Sequence, residues 1–150
     1  MKTIFDQNVL SELQLRIDNL SPQATAAWGK MNTYQMLRHC ILSERMFLGD
    51  NQYKRLFIGR LFGKVALKGI LKNDNPLKEN QPTHPAFKIT GEGDIVPLKN
   101  NWKTLLERYS TISPDELAGF LHPFFGAMTR DQIGQYVYKH TDHHLRQFKA

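Results

Sequence analysis

Apolar residues recur along the chain at the spacing of amphipathic helices. The pattern predicts four principal helices, over residues 6–19, 32 or 33–48 and 97–110, and from residue 129 to the end of the chain. Ser21-Pro22 ends the first of these helices, and Gly49 is the stop signal of the second. Thr129 and Gln132 have the spacing of a capping box, in which each side chain satisfies a backbone amide at the start of the last helix.

A further amphipathic segment, Tyr53–Leu71, connects the second and third principal helices. Its basic residues recur every four positions, as Arg60, Lys64, Lys68 and Lys72. This spacing places them along one side of a helix, although three glycines weaken the segment, which forms one helix or two short ones. We interpret the basic side as a solvated face whose long side chains cover apolar surface. The alternative is a contact with an anionic partner, such as nucleic acid or a membrane surface.

The stretch from Asn73 to Val96 is the least regular part of the chain. Pro76, Pro82 and Pro85 exclude a regular helix there, and a loop of this length in a compact domain often covers a site. No stretch alternates in the manner of a β-strand. The sequence therefore predicts one all-α domain over residues 1–150, a four-helix bundle with an extra basic connecting helix.

Composition and charge add limits rather than a function. The chain is 41% hydrophobic and 23% charged, which is ordinary for a globular protein, and Cys40 is the single cysteine. Of the net charge of +6, the stretch from Tyr53 to Asn80 carries +5, because it contains seven Lys and Arg but only two acidic residues, Asp74 and Glu79. No signal-peptide core, membrane-spanning run or nucleic-acid motif is present. We expect a cytoplasmic protein with neither nucleic acid nor a membrane as its partner.

The candidate chemistry lies in the histidines. His140 and His144 are four residues apart, so their rings lie about 40° apart on successive turns of one helix and can meet at one ion. Both lie on the apolar side of that helix, where an unpaired ring is costly to bury. A catalytic zinc site needs a third protein ligand, and His39 is the only histidine on another predicted core helix. His143 points less directly inward.

Other candidate residues are given structural interpretations. We expect His84 to be exposed in a loop, and His122 to hold the chain before the last helix. Cys40 should point about 100° away from its neighbour His39 and pack in the core.

Three segments resemble the DinB-like family of four-helix metal proteins. They are Trp28–Cys40, His122–Thr129 and Tyr138–Phe148, the last with the sequence YKHTDHHLRQF. The resemblance implies a DinB-like bundle in which His39, His140 and His144 bind one divalent metal ion. Zinc or nickel is expected.

The resemblance also implies an activity, since characterised DinB-like proteins include thiol-dependent S-transferases. The expected partners are a low-molecular-weight thiol and a small electrophilic substrate, and no catalytic residue is assigned. Asp142, Glu44, Glu92 and Asp94 are the acids considered for a general base, and none is evident. The alternatives are a metal-dependent hydrolase and a bundle that binds a metal or small ligand without turnover. The sequence leaves open whether the chain is a homodimer.

Overall fold

A computed structural model describes residues 1–150, and helices dominate it. The five helices are α1 (Gln7–Asp18), α2 (Thr33–Phe47), α3 (Phe57–Ile70), α4 (Val96–Thr111) and α5 (Arg130–Gln147). Two strands, β1 (Leu121–His122) and β2 (Gly126–Ala127), form an antiparallel pair. The prediction of a mainly helical chain is confirmed. No helix is both long and apolar enough to cross a membrane.

Side-chain caps fix where three of the helices begin. The Asp6 carboxylate accepts hydrogen bonds from two amides in the first turn of α1. Asn32 forms a capping box with Gln35 at the start of α2, as Thr129 does with Gln132 at the start of α5. These caps satisfy amides that would otherwise lack partners, so the two helices that carry the site begin at defined residues.

Four helices surround a common hydrophobic core. Helices α1 and α2 each contact both α4 and α5. Their fully buried side chains include Leu13, Leu37, Trp102, Leu106 and Ile133. Helix α2 lies between α4 and α5, and it therefore has one side in the core and another toward the site described below.

Helix α3 lies beside these four helices, contributes the buried Leu67 to the core and contacts the β2 strand. The sequence left open whether this segment forms one helix or two short ones, and the structure has one continuous helix. The glycines that weaken it have a packing role: a Cβ on Gly59 or Gly63 would lie 2.5 or 2.0 Å from the Phe124 carbonyl oxygen. The backbone of α3 can approach the 121–127 segment closely only because these side chains are absent.

The prediction that the chain contains no strand is wrong at the hairpin of β1 and β2. Each strand has two residues, which is too short for an alternating pattern to be visible in the sequence. Between Leu71 and Ile95 the chain is irregular apart from a short 3-10 turn at Pro85–Phe87. This irregular stretch passes over one end of α2.

Candidate metal centre

Three histidines from two helices converge at one end of a cavity. His39 comes from α2, and His140 and His144 come from successive turns of α5. One ring nitrogen from each lies within 4.8 Å of the others, and the Nε2 atoms of His39 and His140 are 3.2 Å apart. All three side chains are buried. The structure therefore brings together the three residues that the sequence selects, in a group that can hold a metal ion.

Hydrogen bonds orient two of the three rings. His39 Nδ1 lies 3.2 Å from the Phe87 carbonyl oxygen, and His144 Nδ1 lies 2.9 Å from Gln147 Oε1. Because both partners are acceptors, each Nδ1 carries the proton and donates it. The Nε2 atom of each ring then keeps its lone pair, which is the arrangement that second-sphere partners give to metal-binding histidines.

Gln147 is itself held by a distant part of the chain. Its Nε2 donates a hydrogen bond to the Trp28 carbonyl oxygen at 2.8 Å, which fixes Oε1 as the acceptor for His144. Gly29, with φ of 80°, follows Trp28, and a Cβ there would lie 2.9 Å from Gln147 Nε2. The Trp28-Gly29 turn thus positions an α5 side chain that sequence reasoning overlooked. In the sequence, the indication for a role of Gln147 was its position three residues after His144.

Burial keeps the three rings neutral. Burial lowers the pKa of His39, and it holds the pKa values of His140 and His144 well below 6.5, with the neighbouring histidines adding to the effect. Neutral imidazole is the form that ligates zinc, nickel and related ions. His140 Nδ1 is buried without a hydrogen-bond partner, so its ring is oriented by packing against Tyr136, with ring centroids 6.0 Å apart.

His143 lies beside the three-histidine group without joining it. Its ring packs against Trp28, with centroids 5.4 Å apart, and against the edge of His144 at 5.1 Å. Burial lowers its pKa, and a hydrogen bond with the Leu77 backbone partly opposes that shift. It is a neutral wall residue next to the candidate ligands.

The group opens into a cavity of about 960 Å³. Its walls come from α2, α3, α5, the 77–89 segment and the residues around the hairpin. A cavity of this size can admit a small molecule beside the three rings. The loop that was predicted to cover a site does supply part of the wall.

All six histidines of the chain line this cavity. The expectation that His84 is exposed is wrong, since its ring is half-buried against Tyr53 and Phe87. His122 Nδ1 accepts hydrogen bonds from the Phe124 and Phe125 amides, and burial lowers its pKa to about 3. His122 therefore holds the hairpin turn and also presents a neutral ring to the cavity.

No carboxylate lines the cavity, whereas Lys30, Lys78 and Lys88 do. Asp142 pairs with Arg16 at 2.8 Å on the side of α5 that faces α1. Glu44 is fully buried in the core, and Glu92 and Asp94 are not wall residues. None of the acids considered from the sequence is placed to act as a base at the three histidines.

Cys40 does not reach the cavity either. It is fully buried beside Met36, with the two sulfur atoms 3.7 Å apart, and burial raises its pKa well above the ordinary value. A thiol that acts at this site must therefore come from outside the protein.

Comparison with known proteins gives a family but no activity. The chain belongs to the family described as protein of unknown function (DUF1569), whose model matches residues 4–150. This match corrects the DinB-like assignment, because DUF1569 is a distinct family and no DinB-like model matches the chain. No curated protein matches the chain. No solved structure matches it. The function therefore has to be argued from the site itself.

Proposed function

We propose that this DUF1569 member binds one divalent metal ion, zinc or nickel, through His39, His140 and His144. The observation that carries the proposal is a set of three buried, neutral imidazoles whose nitrogens lie within 4.8 Å of one another. Two nitrogen ligands of a tetrahedral zinc ion stand about 3.3 Å apart when each bond is about 2.0–2.1 Å. The 3.2 Å between the Nε2 atoms of His39 and His140 fits that spacing.

The site would remain open on the cavity side. The group contains three protein ligands and no fourth His, Cys, Asp or Glu. Structural zinc sites are usually closed by four protein ligands, whereas catalytic sites keep a position for water or substrate. An open position beside a cavity of about 960 Å³ favours a reactive centre over a purely structural one.

Metal content tests this step. Purified protein should hold about one ion per chain, and His140→Ala should remove it. His143→Ala is the matched control, because His143 is a neighbouring cavity histidine outside the three-residue group. Elemental analysis of the wild type and both variants, after the same metal loading, measures the outcome. Loss of the metal in His143→Ala with retention in His144→Ala would show that the wrong ligand had been chosen.

We further propose that the centre serves the transfer of a low-molecular-weight thiol to a small electrophile. When bound, a divalent ion lowers the pKa of a thiol that it coordinates, which supplies a nucleophile without a protein base. The chain's contribution is a wall of neutral histidines and three lysines that accepts an anion. In the reaction, sulfur forms a bond to an electrophilic carbon, the leaving group departs with its bonding electrons, and the thiol proton goes to solvent.

A series of thiols of similar size tests the role of the wall. Mercaptopropionate, mercaptoethanol and cysteamine differ chiefly in charge, and the lysine-lined cavity should favour them in that order. The measurement is the rate with a chromogenic electrophile, after subtraction of the uncatalysed rate, for metal-loaded wild type and His140→Ala. Thiol-dependent turnover that His140→Ala lacks would support the proposal, whereas an equal preference for cysteamine would contradict the assignment of the wall.

A metal-dependent hydrolase is the second candidate. The position of the His143 ring in the cavity wall favours it. The ring lines the cavity next to His144, and burial lowers its pKa, so it is neutral at pH 7 and can accept a proton. Turnover of an ester without any thiol, slowed by His143→Ala while the metal is retained, would select this function. Metal binding without turnover of either kind would leave a metal-binding protein that is not an enzyme.

A further inference from the structure

Helix α3 exposes its apolar side to solvent. Its large hydrophobic side chains Phe57, Ile58, Leu61, Phe62 and Val65 are each between 57% and 77% exposed. They account for five of the nine large exposed hydrophobic residues of the chain, within nine consecutive positions. Large exposed apolar side chains are unremarkable when they are scattered, but a contiguous group marks a surface that contacts something.

The helix geometry turns Phe57, Leu61 and Val65 away from the rest of the molecule, whereas Ile58 also lines the cavity of the candidate metal centre. Gly59, Gly63 and Leu67 are the buried residues of α3, and they recur every four positions. Phe57, Leu61 and Val65 have the same spacing but are offset by two positions, which is about 200° around the helix. The exposed side is therefore opposite the packed side and has no partner within the chain.

A line of basic side chains borders the exposed apolar side. Arg60, Lys64, Lys68 and Lys72 are all exposed, and Arg60 and Lys64 each lie about 100° from the apolar residue that follows them. None of the four forms an ion pair, and Lys64 donates only to the Ala127 carbonyl. The positive charge on this side of α3 is thus uncompensated within the molecule.

We infer that α3 docks on the surface of an anionic phospholipid membrane. An amphipathic helix with Phe and Leu on one side and Lys and Arg beside them lies in the plane of a membrane interface, where its apolar side enters the acyl region. Anionic headgroups would neutralise the basic line, and the lysine stems can extend to reach them. A second copy of the chain fits less well, because pairing two α3 helices would bring two uncompensated basic lines together.

Membrane docking gives the basic segment a role that was not expected from the sequence. From the sequence, a solvated face was favoured because long lysine side chains commonly cover apolar surface with their stems, and a membrane partner was not expected. The close approach of Gly59 and Gly63 to Phe124 uses the glycine side of the helix for packing instead. The apolar side is left free for docking, and this docking does not depend on the metal centre.

Vesicle co-sedimentation of the full chain tests the inference. The protein should bind vesicles of phosphatidylcholine mixed with phosphatidylglycerol, should bind phosphatidylcholine alone much less, and should be released by high salt. The double variant Arg60→Glu/Lys68→Glu should weaken binding by roughly tenfold or more. Lys149→Glu/Arg146→Glu makes the same change in net charge on α5 and the residues after it, and it should leave binding nearly unchanged.

An apolar pair of variants separates the lipid from a second copy. Phe57→Ser/Leu61→Ser should abolish vesicle binding, whereas Leu15→Ser, at an exposed apolar residue of α1, should not. Circular dichroism checks that the fold is kept, which is expected because the altered side chains are exposed. The inference is overturned if anionic vesicles are not bound, or if light scattering shows a dimer that Phe57→Ser/Leu61→Ser dissociates.

Discussion

Helix α2 carries a buried histidine, His39, and a buried carboxyl group, Glu44, five residues apart, and they lie in two different environments. His39 meets His140 and His144 at the cavity. Glu44 lies sealed in the core, where it accepts a hydrogen bond from the Tyr109 hydroxyl at 2.8 Å. Burial keeps both side chains neutral by shifting their pKa values in opposite directions. It lowers the pKa of His39 and raises that of Glu44 to about 8.

The comparison shows that a perturbed pKa does not by itself identify a functional site. Burial raises the pKa of Glu44 far above its ordinary value, yet Glu44 lines no cavity, and its Oε1 atom has no hydrogen-bond partner. His39 has neighbours of its own kind, a carbonyl that orients its ring, and an opening for a ligand. The difference lies in access and in convergent donors, which are the features that a metal and a substrate need.

The largest expected effect is on the stability that metal confers. An ion that binds only the folded state should raise the free energy of unfolding by about 2.7 kcal/mol when its free concentration is a hundred times its Kd. We expect His140→Ala to lose this gain entirely and Glu44→Gln to keep it. Urea unfolding with zinc and with a chelator measures both variants. A zinc effect that is lost in Glu44→Gln but kept in His140→Ala would contradict the assignment of the metal to the histidine cluster.

The second effect is the pH dependence of stability, which should have opposite signs in the two clusters. Glu44 has a folded pKa of about 8, above its unfolded value of 4.5, so its contribution is fully present below pH 4.5 and is lost as pH rises to 8. Stability should therefore decline as pH rises through that window. Glu44→Gln, which cannot ionise, should remove this slope in chelator-treated protein unfolded with urea between pH 5 and pH 8.

The histidines provide the contrasting control for that measurement. Their folded pKa values are depressed, so their contribution is present above their unfolded value of 6.5 and is lost as pH falls below it. In metal-free protein, His140→Leu should therefore flatten the acid side and leave the alkaline loss unchanged. If Glu44→Gln kept the alkaline slope, the carboxyl would not be the neutral core group described here.

How much of this could be read from the sequence depends on how local each feature is. The convergence of His140 and His144 follows from helical periodicity, and their place on the apolar side indicated an inward direction. The link from Gln147 to Trp28 spans 119 residues, and no local pattern encodes it. The outward apolar side of α3 is likewise set by the close packing of Gly59 and Gly63, which periodicity cannot anticipate.

The DinB-like resemblance failed for a related reason. A histidine pair four residues apart, with a third histidine on another helix, supplies the three protein ligands that an open zinc site needs, whatever the family. Such a motif points to a kind of site more reliably than to a family. The geometry of the three histidines therefore stands without that assignment, whereas the proposed thiol chemistry must rest on the cavity wall.

The smallest of the expected effects concerns Gln147, which touches no candidate metal position but orients His144. Gln147→Leu removes the acceptor for His144 Nδ1 and the donor to the Trp28 carbonyl, while a side chain of similar volume stays in the buried space. Loss of such a partner typically weakens metal affinity by about 10- to 100-fold. Competition with a chromophoric chelator measures the affinity. Gln147→Glu restores an acceptor at the same position and should recover part of the loss, a recovery that a purely packing role of Gln147 would not produce.

Tyr109→Phe makes the matching change at the other cluster, by removing the donor to Glu44, and should leave metal affinity within about twofold of the wild type because its effect is confined to the sealed core.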